Sequence, residues 1–145
     1  MAITAHIDAE GTNTSTRAAQ KYKDLDLNFK LVNSTKDVNR VTDVLAVKRS
    51  VRNLVLTNHF EKPFHPEIGS GVRDILFEPM TPITASILAT AVEDVIENYE
   101  PRARLIGVRA FPNLDQNAYN VTVEFFVVNA PTEVITLDVM LEVLR

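Results

Sequence analysis

Tyr119-Asn-Val-Thr-Val-Glu-Phe-Phe-Val127 and Val134-Ile-Thr-Leu-Asp-Val-Met-Leu-Glu-Val143 are the two stretches whose reading decides the fold class. In the first, Tyr119, Val121, Val123, Phe125 and Val127 fall on alternate positions. In the second, Ile135, Leu137, Val139, Leu141 and Val143 do the same. Successive side chains of an extended chain point to opposite faces, so each run is a strand with one apolar face. Asn129-Ala-Pro-Thr132 between them fits a short hairpin connection. The other face of the second strand, Val134, Thr136, Asp138, Met140 and Glu142, is only half polar. Such a strand is either covered on both sides or lies at a sheet edge whose unpaired backbone groups accept a strand from another chain. From pattern alone the covered arrangement is the simpler one.

Moving toward the N-terminus, Arg104 to Phe111 reads as a further strand. Before it, Thr81-Pro82 opens a long helix, with the threonine as cap and the proline in the first turn, where its missing N–H costs nothing. Leu88, Val92, Val95, Ile96 and Tyr99 form that helix's apolar stripe, and Glu100-Pro101 ends it. Residues 59–71 hold Pro63, Pro66, Gly69 and Gly71, a density of breakers that predicts a shaped loop. Ser70 is placed to cap a short helix carrying Val72, Ile75 and Leu76, stopped by Pro79. A helix from about Asp43 to about Asn58, capped by Thr42 or Asp43, buries Val44, Val47, Val51, Leu54 and Val55 and leaves Lys48, Arg49 and Arg52 in solvent. Asp24-Leu-Asp-Leu-Asn-Phe-Lys-Leu31 alternates without a break and predicts a strand with Leu25, Leu27, Phe29 and Leu31 on one face. After turn chemistry at residues 33–37, Val38 to Val41 is placed to pair back on it.

The polar run Thr12 to Thr16, preceded by Gly11, offers little to bury, so residues 1–21 are expected to form a flexible arm and residues 22–145 the folded domain. Strands near both ends and helices between them give a single α+β domain, with a mostly antiparallel sheet packed against two main helices. At 145 residues and 46% hydrophobic, one core is affordable and two are not.

The same composition excludes several functions. A net charge of -4 provides no basic field for nucleic acid or anionic lipid. The absence of cysteine removes disulfides, thiolate metal sites and a cysteine nucleophile, and fits a reducing cytosol. Residues 1–10 lack the basic and apolar regions of a secretory signal, and no apolar run approaches the roughly 18 residues of a membrane span. No nucleophile elbow, dinucleotide fingerprint or phosphate-binding loop occurs. His59, Glu61, His65 and Glu67 form the one cluster of metal-ligating types, but two prolines interrupt it and no helix aligns it, so neither metal nor cofactor is expected. Glu61, Glu67, Asp74 and Glu78 hold the carboxylates a glycosidase needs, one protonated and one ionised, without any visible device to raise a pKa. Glu100-Pro-Arg102 places a planar guanidinium, able to grip a carboxylate with two parallel hydrogen bonds, just after a helix stop.

Taken together, Arg52-Asn-Leu-Val-Leu-Thr57, Glu61-Lys-Pro-Phe-His-Pro-Glu-Ile-Gly-Ser70, Asp74-Ile-Leu-Phe-Glu-Pro79 and Tyr99-Glu-Pro-Arg102 resemble the baseplate wedge family of contractile phage tails, historically labelled lysozyme-like and related to a baseplate subunit of type VI secretion systems. The resemblance runs from about Asp24 to the C-terminus. It implies a small, non-enzymatic α+β subunit of the virion baseplate, assembled in the host cytoplasm, whose sheet edge templates tail sheath polymerisation by strand pairing. Its expected partners are other wedge proteins, the sheath protein and tube or hub proteins, with no nucleic acid, membrane insertion or small-molecule substrate. Glu100, Pro101 and Arg102 match the family's Glu-Pro-Arg motif and become the expected wedge contacts. Val134, Thr136, Asp138, Met140 and Glu142 become the expected sheath contacts. A peptidoglycan hydrolase of the tail, using Glu61, Glu67, Asp74 or Glu78, is the alternative. One departure stands out: where the family has a glycine before the loop glutamate, this chain has Phe60.

Overall fold

A computed structural model describes residues 22–29, 31–32 and 37–143. The expected arm, residues 1–21, lies outside these, as do most of the turn at 33–37 and the last two residues. The described elements run β1 (Lys23–Leu25), β2 (Leu31–Val32), β3 (Asp37–Val38), β4 (Arg40–Thr42), α1 (Asp43–Leu56), α2 (Val72–Ile75), α3 (Pro82–Tyr99), β5 (Ala103–Asn113), β6 (Ala118–Val127) and β7 (Ala130–Glu142). β5, β6 and β7 form a three-stranded antiparallel sheet in sequence order. Two small antiparallel pairs, β1 with β4 and β2 with β3, precede the helices.

The alternation in the last third produces the intended core. Tyr119, Val121, Val123, Phe125 and Val127 are buried on β6, as are Ile135, Leu137, Val139 and Leu141 on β7. They meet Val47, Val51 and Val55 of α1 and Leu88, Val92, Val95 and Ile96 of α3 in one cluster. Two helices over one face of an antiparallel sheet is the α+β architecture expected from the sequence. The β6–β7 connection is tighter than the predicted residues 129–132. Val127 already pairs with Ala130, and the register then slips so that Phe126 faces Val134. The slip carries Pro131, which has no N–H for the ladder and is tolerated in an irregular stretch.

Two expectations fail locally. The alternation from Asp24 to Leu31 does not make a continuous strand, and Leu25, Leu27, Phe29 and Leu31 are all exposed. Asp26 is responsible. Its carboxylate accepts the Asn28 N–H at 3.0 Å and the Arg49 guanidinium, while its carbonyl accepts the Phe29 N–H at 2.9 Å. Phe29 enters the left-handed region at φ 51°, and the chain turns. A side-chain-to-backbone turn of this kind competes directly with a sheet ladder. The second failure is Ser70, which does not cap α2: the N-cap residue is Gly71, and no side chain caps it. Thr81, by contrast, caps α3 as predicted and accepts the Thr84 N–H at 3.1 Å.

Candidate functional site

The loop between α1 and α2 folds onto the end of α1. The Ser70 hydroxyl donates to the Val55 carbonyl at 2.6 Å, and the Ser70 N–H donates to the Thr57 carbonyl at 2.8 Å, satisfying carbonyls that a helix end leaves open. Gly69 passes so close to Asn58 that a Cβ there would lie 2.5 Å from the Asn58 carbonyl carbon. Glu61 accepts the Asn58 N–H at 2.9 Å, and the Tyr99 hydroxyl donates to the Glu67 carbonyl at 2.8 Å. Phe60, at the family's glycine position, has φ 66°, the left-handed conformation that glycine adopts without strain. The Phe60 ring projects into solvent.

The carboxylates of the hydrolase alternative do not assemble into a pair of unlike acids. Glu61, Glu67, Asp74 and Glu78 are all exposed. Glu67 is bonded by its own backbone N–H and by His65 at 3.0 Å, which together hold its carboxyl below the usual range, the opposite of what a general acid requires. Among the described residues no three His, Asp or Glu side chains converge to hold a metal.

Past α3, Glu100 is buried and Arg102 wraps back on it. Nε and Nη2 of Arg102 donate to the two carboxylate oxygens at 2.7 and 2.9 Å, while Nη1 donates to both oxygens of Asp24 at 2.9 and 3.0 Å. The guanidinium also stands 5.6 Å from the centre of the Tyr22 ring. Burial pushes the Glu100 carboxyl up, but hydrogen bonds from Arg102 and Ser50 outweigh it and hold the carboxyl below its usual range. The partner effect on Arg102 is a raised pKa, from Glu100 first. The Arg102 carbonyl accepts the Val128 N–H at 3.0 Å, tying this corner to the β6–β7 turn. Only Pro101 of the three is exposed.

β7 is different. It pairs with β6 alone among the described strands, so its other side is an edge. The Val143 N–H donates to Asn117 on the β6 side at 2.9 Å, whereas the Thr136 carbonyl faces the other way and accepts Lys48 Nζ at 2.8 Å. Because strand residues alternate, Val134, Thr136, Asp138, Met140 and Glu142 direct their backbone N–H and C=O outward, and their side chains stand exposed on the outer face. Among the described residues nothing covers the outer face of β7, unlike the covered-on-both-sides expectation, and no described strand pairs with its far side. Asp138 is fixed by the Thr122 hydroxyl from the opposite position on β6 at 2.8 Å.

Sequence reasoning located the corner and the edge strand but missed Asp24, Tyr22 and Lys48. Asp24 meets Arg102 across 78 positions, Tyr22 meets the same guanidinium, and Lys48 bonds a backbone carbonyl 88 positions away, so none leaves a local pattern.

The geometry is that of an α+β domain with an arginine-locked corner and an antiparallel edge that no described strand pairs. Residues 42–132 match the family of baseplate wedge protein gp25. The chain is 34% identical over 113 residues to the baseplate wedge protein gp25 of Enterobacteria phage T4, covering 78% of this chain and 85% of that protein. It belongs to this family. Among solved structures, a "putative tail lysozyme" of Geobacter sulfurreducens superposes with a TM-score of 0.64 at 22% identity, over 69% of this chain and 90% of that one. A subunit of the anti-feeding prophage baseplate gives a TM-score of 0.60 at 20% identity, over 86% and 88%. At those identities the likeness speaks for the fold.

Proposed function

We propose that this chain is a structural subunit of a contractile-tail baseplate in the virion, assembled in the host cytoplasm, that docks among other wedge proteins and starts the tail sheath by offering β7 to a sheath strand. The observation that carries this reading is the outward row of backbone groups on Val134, Thr136, Asp138, Met140 and Glu142. An added strand gains main-chain hydrogen bonds there without disturbing the β5–β6–β7 sheet. Natural edges are guarded against chance pairing, often by lysine, and Lys48 already occupies the Thr136 carbonyl. A sheath strand would replace that one bond with a ladder.

The corner Glu100, Pro101 and Arg102 is the proposed docking point for neighbouring wedge proteins, with tube or hub proteins as further neighbours. Its charges are committed internally, so the contact rests on exposed Pro101 and on the rigid shape that Glu100 and Arg102 impose. Pro101→Glu places a charge on that surface without removing either member of the ion pair. Baseplates assembled with this variant are expected to lack the subunit, and normal incorporation would remove the corner from the interface.

The structural likeness to a lysozyme-named protein motivates one check of the hydrolase alternative. Purified protein applied to cell walls is expected to leave them intact. Clearing that disappears on changing Glu61, Glu67, Asp74 or Glu78 would reverse the assignment.

A further inference from the structure

The side of β7 that no described strand pairs has α1 packed alongside it. On that helix Lys48, Arg52 and Leu56 recur at steps of four, so they share one side. Two contacts align the stripe with the strand. At one end, Lys48 Nζ donates to the outward Thr136 carbonyl at 2.8 Å. At the other, Leu56 lines a groove of about 360 Å³ together with Val72, Leu76, Met140 and Leu141. Val72, Leu76 and Leu141 are buried, whereas Leu56 and Met140 are 48% and 53% exposed. In a chain of net charge -4, this flank is therefore locally basic at one end and apolar at the other.

We propose that β7 selects the strand it accepts by two side chains: a carboxylate opposite Leu137, met by Lys48, and, four residues along, a leucine-sized apolar side chain opposite Leu141 that fills the groove. Strand geometry sets those positions. Residues of an added strand that pair with Thr136, Asp138 and Met140 place their side chains on the outer face, with those of β7. Residues opposite Leu137, Val139 and Leu141 face the helices, as these three buried residues do. Dimensions agree. Four residues of strand separate Leu137 from Leu141 by about 13 Å, and eight residues of helix separate Lys48 from Leu56 by about 12 Å. On strand addition the Lys48 ammonium exchanges a neutral carbonyl for a carboxylate, a stronger charge-assisted hydrogen bond, and the Thr136 carbonyl takes a strand N–H instead. An apolar side chain in the groove removes the exposed surface of Leu56 and Met140 from water. Arg73 and Glu142 also line the groove, with opposite charges, so the carboxylate preference belongs to the Lys48 end. The inference rests on the reading of β7 as a strand-accepting edge and adds which strands it accepts.

The test adds short synthetic peptides to the isolated full chain and follows amide hydrogen exchange of Thr136, Asp138 and Met140. The reference peptide is Thr-Thr-Glu-Thr-Val-Thr-Leu-Thr-Thr. A second has lysine in place of its glutamate, a third has serine in place of its leucine, and each is made in both sequence orders to cover both strand directions. The reference peptide, in its better order, is expected to bind at least about tenfold more tightly than the other two and to slow exchange of the three outward amides. Lys48→Glu should invert the preference toward the lysine peptide, and Leu56→Asp should abolish the preference for leucine over serine. Neither side chain belongs to the core cluster. The amides of Leu137 and Val139, which face β6, should exchange alike in every sample and thereby report an intact fold. Equal protection by all three peptides would leave β7 a strand-accepting edge and overturn the selection proposed for it. Protection by none would overturn both readings. Protection that is present without peptide and disappears on dilution would overturn the proposal as well, assigning the edge to a second copy of the chain.

Discussion

The Glu-Pro-Arg corner, where only Pro101 is exposed, and the exposed outer face of β7 use their polar groups in opposite ways. At the corner, Arg102 spends its whole planar fork on Glu100 and Asp24 within the chain. Along β7, five consecutive outward positions leave their backbone groups unclaimed by any described strand, apart from the one carbonyl taken by Lys48. A motif of charged residues is therefore used here as an internal brace, while a stretch with no charged motif leaves an extended row of backbone groups open among the described strands. Recognition by strand addition reads main-chain geometry first and side chains second, so the surface has no residue signature of its own.

The contrast is tested most severely inside β7 itself. Val139→Pro removes an N–H that faces β6 and disturbs a buried position, and is expected to cost more than about 3 kcal/mol. Thr136→Pro removes an outward N–H and should cost less than about 1 kcal/mol, since proline is tolerated where an edge N–H faces solvent. Urea denaturation of the two variants measures both, and equal losses would mean that the edge is not open.

Arg102→Ala leaves the Glu100 carboxylate buried beside Ser50 without its cation. The expected loss is about 2 to 3 kcal/mol, less than for a fully enclosed pair because Arg102 is itself partly exposed. The acid limb gives a second reading of the same brace. Glu100 has a depressed carboxyl pKa in the folded state, so its contribution is present above its unfolded value and is lost as pH falls through the folded one. Stability should therefore decline below about pH 4, and Glu100→Gln should decline less steeply over that range.

Gly69→Ala probes the loop that closes on α1. Its Cβ has no room against the Asn58 backbone, and a loss of about 2 kcal/mol is expected in thermal unfolding. The smallest effect is a gain. Phe60→Gly relieves a left-handed residue whose ring packs on little, and should raise stability by up to about 1 kcal/mol.

The sheet core was legible from β6 and β7 because period-two alternation and burial coincide there, residue for residue. α3 was legible because Thr81 and Pro82 mark its start chemically. The segment from Asp24 to Leu31 has the same alternation but lacks a covering layer. There the Asp26 carboxylate, bonding Asn28 locally and Arg49 at a distance, makes a turn that alternation alone cannot reveal. The site followed the same rule. Glu100 and Arg102 were visible as a motif, but their use as a brace depended on Asp24, 78 positions away. The half-polar face of β7 looked covered in the sequence because Val134 and Met140 are apolar. Both are exposed, as a surface awaiting a partner strand would be.

The most direct test of strand templating uses purified tail tubes with baseplates carrying either the natural chain or Thr136→Pro, supplied with sheath protein and scored by electron microscopy. The account predicts that the variant enters the baseplate at the normal level and that sheath fails to start on it. Full-length sheath on baseplates carrying Thr136→Pro would contradict templating by β7.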